Sequence, residues 1–184
     1  MGQISRPKPV NLIIGVLSSI QALFELIEKT LQEKFGPIDL RSDILPFNFT
    51  DYYNEEMGEG IRRQFYSFEK LIMPDEIASI KVQTNTIEEL MASSKEYSVP
   101  RPINIDPGYI SESRLILAST KDFSHRIYLR EGVYAEVTLN YRGGRYESFP
   151  WTFPDYKTSD YQNFFLAVRK LYVQKLKTLN EYKE

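Results

Sequence analysis

One run, Val10-Asn11-Leu12-Ile13-Ile14-Gly15-Val16-Leu17, restricts what this 184-residue chain can fold into. It is rich in β-branched residues and apolar on both faces, the pattern of a strand in the middle of a sheet. Such a strand needs a neighbour on each edge and a covering layer on each face. The rest of the chain supplies candidates for both. Ser18 with Gln21 three residues on forms a capping-box pattern. It predicts a helix through Ile20, Leu23, Phe24, Ile27, Leu31 and Phe35, ended by Gly36-Pro37.

Further strands are expected across Ile38–Phe49, Arg62–Ile72 (with a bulge, since Phe65 is out of phase with Phe68 and Leu71), Ile103–Ile105, Arg114–Ser119, Arg126–Leu129 and Val133–Tyr141. The last alternates, with Val133, Ala135, Val137 and Leu139 on one side and Tyr134, Glu136, Thr138 and Asn140 on the other. Arg130-Glu131-Gly132 and Arg142-Gly143-Gly144-Arg145 read as hairpin turns. Pro74-Asp75-Glu76 opens a second helix through Ile77, Ile80, Thr84, Ile87 and Met91, and Thr86 with Glu89 suggests a break near Asn85. A third helix starts near Ser159 and buries Tyr161, Phe164, Phe165, Val168, Leu171 and Tyr172. The expected fold class is α+β: a single domain over residues 9–184, a mostly antiparallel sheet with about three helices packed on it, behind a flexible lead-in at residues 1–8.

Composition excludes several kinds of chemistry. Without cysteine there is no disulfide, thiolate nucleophile, iron–sulfur cluster or sulfur-bound zinc. The 23 basic and 25 acidic residues leave a formal charge of −2, which argues against bulk nucleic-acid binding. The longest apolar run falls far short of the roughly 20 residues of a membrane helix, and the N-terminus has no secretory apolar core. A soluble, cytoplasmic protein is the expectation.

Residues 104–140 gather the chain's candidate chemistry. The only histidine, His125, lies among Asp106, Lys121, Asp122, Arg126 and Glu136, between predicted strands. His125 can act as an acid or base near neutral pH, or serve as a strand-entry residue bonded to the sheet. With Asp51, Asp106, Asp122, Glu136 and Asp155 as oxygen donors it would suit Mg²⁺ or Mn²⁺ rather than structural zinc. Asp106-Pro107-Gly108-Tyr109 has the signature of a type II turn, with Asp106 and Tyr109 displayed beside it. Glu136 matters if its face is covered, and a buried carboxylate there calls for a basic partner such as Arg126. The loop from Asp51 to Gly58 could bind a polar ligand or a cation. Gly15 before a capped helix could present amides to an anion. Pro150-Trp151-Thr152-Phe153-Pro154 reads as a plug for the closing helix, or as a surface that stacks a ring.

Asn104-Ile105-Asp106-Pro107-Gly108-Tyr109, the run from Leu117 to Leu129 containing Ser119-Thr120-Lys121-Asp122-Phe123-Ser124-His125, and Tyr134-Ala135-Glu136-Val137-Thr138-Leu139 resemble domain-of-unknown-function family number 4416. So do Phe47-Asn48-Phe49-Thr50-Asp51-Tyr52-Tyr53 and Pro150 to Tyr156, and the likeness spans about Pro9 to Tyr172. The resemblance implies a single-domain prokaryotic cytoplasmic protein of undetermined activity, with a GTP-binding label on some members. The chain has no Gly-x-x-x-x-Gly-Lys-Ser/Thr loop to cradle phosphates.

Two readings follow. One is a protein, enzyme or binder, acting on a small phosphate-bearing or nucleotide-like ligand. In it His125, Asp122 and Glu136 are catalytic, and Lys121, Arg126, Asp106, Tyr109 and Asp51 contact the ligand. The other is a non-catalytic interaction module or homodimer, and RNA binding is a third option.

Overall fold

The computed structural model describes residues 2–181. Its centre is one sheet in which every recorded strand pair is antiparallel. The strands are β1 (Val10–Ser18), β2 (Ile38–Arg41), β3 (Leu45–Pro46), β4 (Arg62–Ile72), β5 (Asn104–Ile110), β6 (Arg114–Ser119), β7 (Arg126–Arg130), β8 (Val133–Arg142) and β9 (Arg145–Ser148). The path runs β2-β4-β1-β5-β6-β8-β7, with β3 also on β4 and β9 also on β8. The helices are α1 (Ala22–Phe35), the single turn α2 (Asn54–Met57), α3 (Ile77–Ser93) and α4 (Ser159–Glu181). The fold class is α+β.

All nine residues of β1 are buried, because helices cover both faces of the sheet. Leu12, Ile14 and Val16 point into a core with Phe24, Ile27 and Leu31 of α1 and Ile77, Ile80 and Ile87 of α3. Ile13 points the other way, into a core with Phe65, Leu115, Leu139 and the α4 stripe of Tyr161, Phe164, Phe165, Val168 and Tyr172. Leu171 is only half-buried. Both faces of β4 are buried too, so Phe65 and Phe68 serve opposite cores and no phase error is involved. A register shift does lie opposite Asn11–Ile13. Lys175 of α4 secures it by donating to Asn11 Oδ1 (2.6 Å) and to the Phe68 carbonyl (2.7 Å).

Several sequence expectations change in the folded chain. The expected strand Ile38–Phe49 is two short ones, because Ser42 turns its hydroxyl to the Phe65 N–H (2.9 Å) and interrupts the ladder. Ser18 does not cap α1. Its hydroxyl accepts from the Ile20 N–H (3.0 Å) and donates to the Pro102 carbonyl (2.8 Å), tying β1 to the loop before β5. α3 has no break near Asn85, where Thr86 donates to the Val82 carbonyl within the helix. Gly15 sits within β1, at a place where a Cβ would come 2.8 Å from the Phe65 ring and 2.9 Å from the Arg63 guanidinium. Its role is to make room, not to present amides.

The largest correction places the site. Asp106-Pro107-Gly108-Tyr109 is not a turn but the middle of β5, paired to β1 along its length. On its other edge β5 meets β6 only from Gly108 to Ile110. Alternate residues of a strand show their backbone groups to the same neighbour, and Pro107 has no N–H to offer β6. Ile105, two residues earlier, finds other partners: its N–H donates to Glu88 Oε1 (2.7 Å) and its carbonyl accepts from Lys81 Nζ (2.8 Å), both on α3. The sheet therefore splays between the start of β5 and the end of β6. At the last paired position the strands come so close that a Cβ on Gly108 would lie 2.3 Å from the Ile116 carbonyl oxygen. Gly108→Ala should cost about 1–3 kcal/mol by overpacking against rigid backbone, measured by urea denaturation. A neutral substitution would mean the strands can separate freely there.

Candidate functional site

A cavity of about 810 Å³ opens at this splay. Its inner end is a connected set of charges. Arg63 of β4 holds Asp106 through one terminal nitrogen (3.1 Å) and Asp155 through the other (3.5 Å). Asn104 Nδ2 donates to Asp106 Oδ2 (2.7 Å), and Lys81 lies 3.9 Å from the same carboxylate. Arg101, in the loop before β5, donates to Asn104 Oδ1 and pairs with Glu88 (2.9 Å). Burial alone would raise Asp106, but Arg63 and Lys81 outweigh it and hold that carboxyl below the ordinary aspartate range. Asp155 goes the other way, because burial prevails over its single guanidinium.

The outer end is built on β8. A bulge between Val137 and Leu139, opposite Leu115 and Ile116, breaks the alternation read from sequence. Glu136 pairs with Leu117 and Leu139 with Leu115, so both face inward and Glu136 is only 2% exposed. Arg126 sits directly across from it on β7. Arg126 Nε donates to Glu136 Oε2 (2.9 Å), and its terminal nitrogen donates to Ser119 Oγ (2.8 Å) and the Lys121 carbonyl (2.9 Å). His125 Nε2 lies 3.0 Å from that same Glu136 oxygen. A carboxylate bound by a guanidinium accepts, so the imidazole proton sits on Nε2 and leaves the lone pair on Nδ1. The ring stacks between Phe123 (centroids 5.9 Å) and Trp151 (5.3 Å). Trp151 is fixed by Nε1–H donation to the Val137 carbonyl (2.9 Å) and lies parallel to Phe149. The Trp151 loop thus serves the rim of the cavity.

Of the residues singled out by sequence, His125, Glu136, Lys121, Arg126 and Asp106 line this one cavity. Asp122, Asp51 and Tyr109 do not line it. Asp122 is exposed between β6 and β7, Asp51 is exposed and accepts from Asn54 Nδ2 (3.3 Å), and Tyr109 packs toward α1 and α3. The oxygen-ligand set expected for Mg²⁺ or Mn²⁺ is likewise not assembled. Among the described residues no three histidine, aspartate or glutamate side chains converge, and Asp106, Asp155 and Glu136 are each engaged by arginine. Arg63, Lys81, Glu88, Arg101 and Asn104 went unread in the sequence. Lys81 and Glu88 did leave a signal: seven residues apart, they fall on the same helical stripe as Ile77, Ile80 and Ile87, where a charge has no place unless it is partnered.

No described helix is long and apolar enough to cross a membrane. No curated protein and no solved structure matches the chain. Residues 8–172 match the family described as Domain of unknown function (DUF4416), and since that span covers nearly the whole sequence, the chain belongs to this family.

Proposed function

We propose that the cavity binds a small ligand carrying a planar ring and an anionic group, such as a phosphate-bearing or nucleotide-like compound. The observation that carries this reading is the imbalance between its walls and its charges. Tyr52, Tyr53, Phe123, Trp151, Phe153 and Tyr156 supply ring faces around a space within the usual size range for small-molecule sites. Every cationic side chain in its lining pairs with a carboxylate except Lys121, among the described residues. Lys121 instead lies 4.9 Å over the Tyr52 ring, with Nζ 3.4 Å from the Tyr52 hydroxyl, at the mouth. An anion there gains a charge that nothing else claims. Two buried ionic networks in one cavity are also weak sources of stability, which favours a reason beyond folding. If the bound compound reacts, the Nδ1 lone pair of His125, oriented through Glu136, is the base the site offers.

A thermal-shift screen with mononucleotides, flavin mononucleotide and pyridoxal phosphate tests this. A ligand at a hundred times its Kd adds about 2.7 kcal/mol, raising melting by roughly 5–10 °C. Lys121→Ala should leave the unliganded Tm unchanged and weaken the response about tenfold in apparent Kd. Loss of neither, or silence across the panel, would turn attention elsewhere.

One observation favours the interaction reading. β7 ends the sheet path with Ile127, Tyr128 and Leu129 exposed at 69%, 57% and 37%. An edge of that kind is a template for strand pairing. Sedimentation at rising concentration should then show a dimer that Ile127→Lys abolishes, and a strict monomer would remove the homodimer version.

A further inference from the structure

We infer that the turn Ser119-Thr120-Lys121 is a subsite for the terminal phosphate of a monoester, with the Ser119 hydroxyl as the donor that recognises it; this rests on the ligand-binding reading above. Leu117 and Ser119 alternate onto the face of β6 that meets Glu136 and Arg126, and all four line the cavity. A serine hydroxyl has two lone pairs and one hydrogen. Both lone pairs of Ser119 Oγ are taken, one by Arg126 Nη1 (2.8 Å) and one by the Lys121 N–H (3.1 Å). Its hydrogen meets no acceptor among the described residues, so Ser119 offers the cavity a donor and nothing else.

The turn is held from behind. Arg126, whose side chain is 5% exposed, is fixed by Glu136 and reaches past Ser119 to the Lys121 carbonyl (2.9 Å). The N–H and the carbonyl of Lys121 are therefore both engaged, which fixes the root of its side chain. Arg126 acts here as a positioning residue: its charge offsets Glu136, and Lys121 is the cation that an anion meets. Lys121 Nζ donates to the Tyr52 hydroxyl (3.4 Å), so the Tyr52 hydrogen turns away from it and is also free to donate. Ser119, Lys121 and Tyr52 thus form a set of donors in which no acceptor is left open. A group that accepts from all of them is an oxyanion. A phosphate monoester brings three terminal oxygens to such a set, whereas a carboxylate or a phosphate diester brings two. The ligand class is therefore a ring compound ending in a phosphate monoester.

Ligand-observed NMR titration with benzyl phosphate, benzyl methyl phosphate and benzyl alcohol tests the assignment, because the three share a ring and differ in their terminal oxygens. Benzyl phosphate should bind about tenfold or more tighter than the diester. Ser119→Ala should remove most of that preference and leave benzyl alcohol binding unchanged, while Ser119→Thr, which keeps the hydroxyl, should retain it. Should Ser119→Ala not fold, Lys121→Ala supplies the same comparison, since its side chain is exposed at the mouth. Equal affinity for monoester and diester, a preference that survives the substitution, or a loss shared by all three compounds overturns the phosphate subsite and leaves the cavity reading standing. Binding by none of the three overturns both.

Discussion

Arg63→Leu is expected to lower folding stability by about 3–5 kcal/mol at pH 7, the effect of removing one partner from a buried ionic cluster. For a chain of this size that is a fall in Tm on the order of 10 °C. Leucine is shorter than arginine and leaves the guanidinium's place among the Phe47, Phe65 and Tyr156 rings empty, so lost packing supplies a part of the deficit that does not vary with pH. The rest comes from Asp106 and Asp155, which the two arms of one guanidinium now bridge and neutralise. Its pH dependence is the sharper test. In the wild type Asp106 titrates below its ordinary range, so its contribution is present above about pH 4 and is lost as pH falls through its folded pKa. Asp155 titrates above its ordinary range, so its burial penalty is relieved as pH falls. Without Arg63, Asp155 loses its only cation and Asp106 keeps Lys81 and the Asn104 amide alone, so both carboxyls move upward, Asp155 the more exposed to its burial penalty. The variant should therefore recover more stability than the wild type on acidification from pH 7 to roughly pH 5, because in the wild type Asp155 gains while Asp106 loses. Urea denaturation at both pH values decides it. A deficit independent of pH would mean that packing, not charge, is what Arg63 provides.

The sequence exposes the frame of this protein more readily than its site, for physical reasons that particular residues show. β1 and the helical stripe of α4 were legible because burial of apolar surface repeats with the period of the element. The hairpin turns were legible because Glu131 and Gly132, and Gly143 and Gly144, adopt the positive φ that such turns need. His125, Arg126 and Glu136 were legible as a group because they lie within twelve residues and a hairpin folds them together. Arg63, Asp106 and Asp155 come from three distant segments, and only the sheet order β4-β1-β5 and the return of the chain before α4 bring them into one place. Pro107-Gly108 misled because the same dipeptide serves a tight turn and a close approach of strands. A single sequence does not separate an orphaned edge at Pro107 from a reversal of the chain. The bulge in β8 is of the same kind: one extra residue at Thr138 puts Leu139 on the same inward face as Glu136, and nothing in Val133–Tyr141 marks where it falls.

Glu136→Ala should also cost about 3–5 kcal/mol, because Arg126, whose side chain is 5% exposed, is left in the interior without its counter-charge. Glu136→Gln keeps an acceptor for Arg126 Nε and should cost about 1–2 kcal/mol. His125→Ala removes one hydrogen bond to the Glu136 carboxylate and a ring that is 20% exposed, about 1–3 kcal/mol, so a folded protein lacking His125 is available for ligand tests. The stack of His125 on Trp151 provides a readout that stability alone does not. The chain has one tryptophan and one histidine, and their rings lie 5.3 Å apart at 11°. His125→Ala removes the ring stacked on the indole and should change Trp151 emission at constant pH while the protein remains folded by circular dichroism. If Glu136→Ala is well tolerated and the emission does not respond to His125, the outer cluster is solvated in solution, and a base positioned through Glu136 has no place in the function.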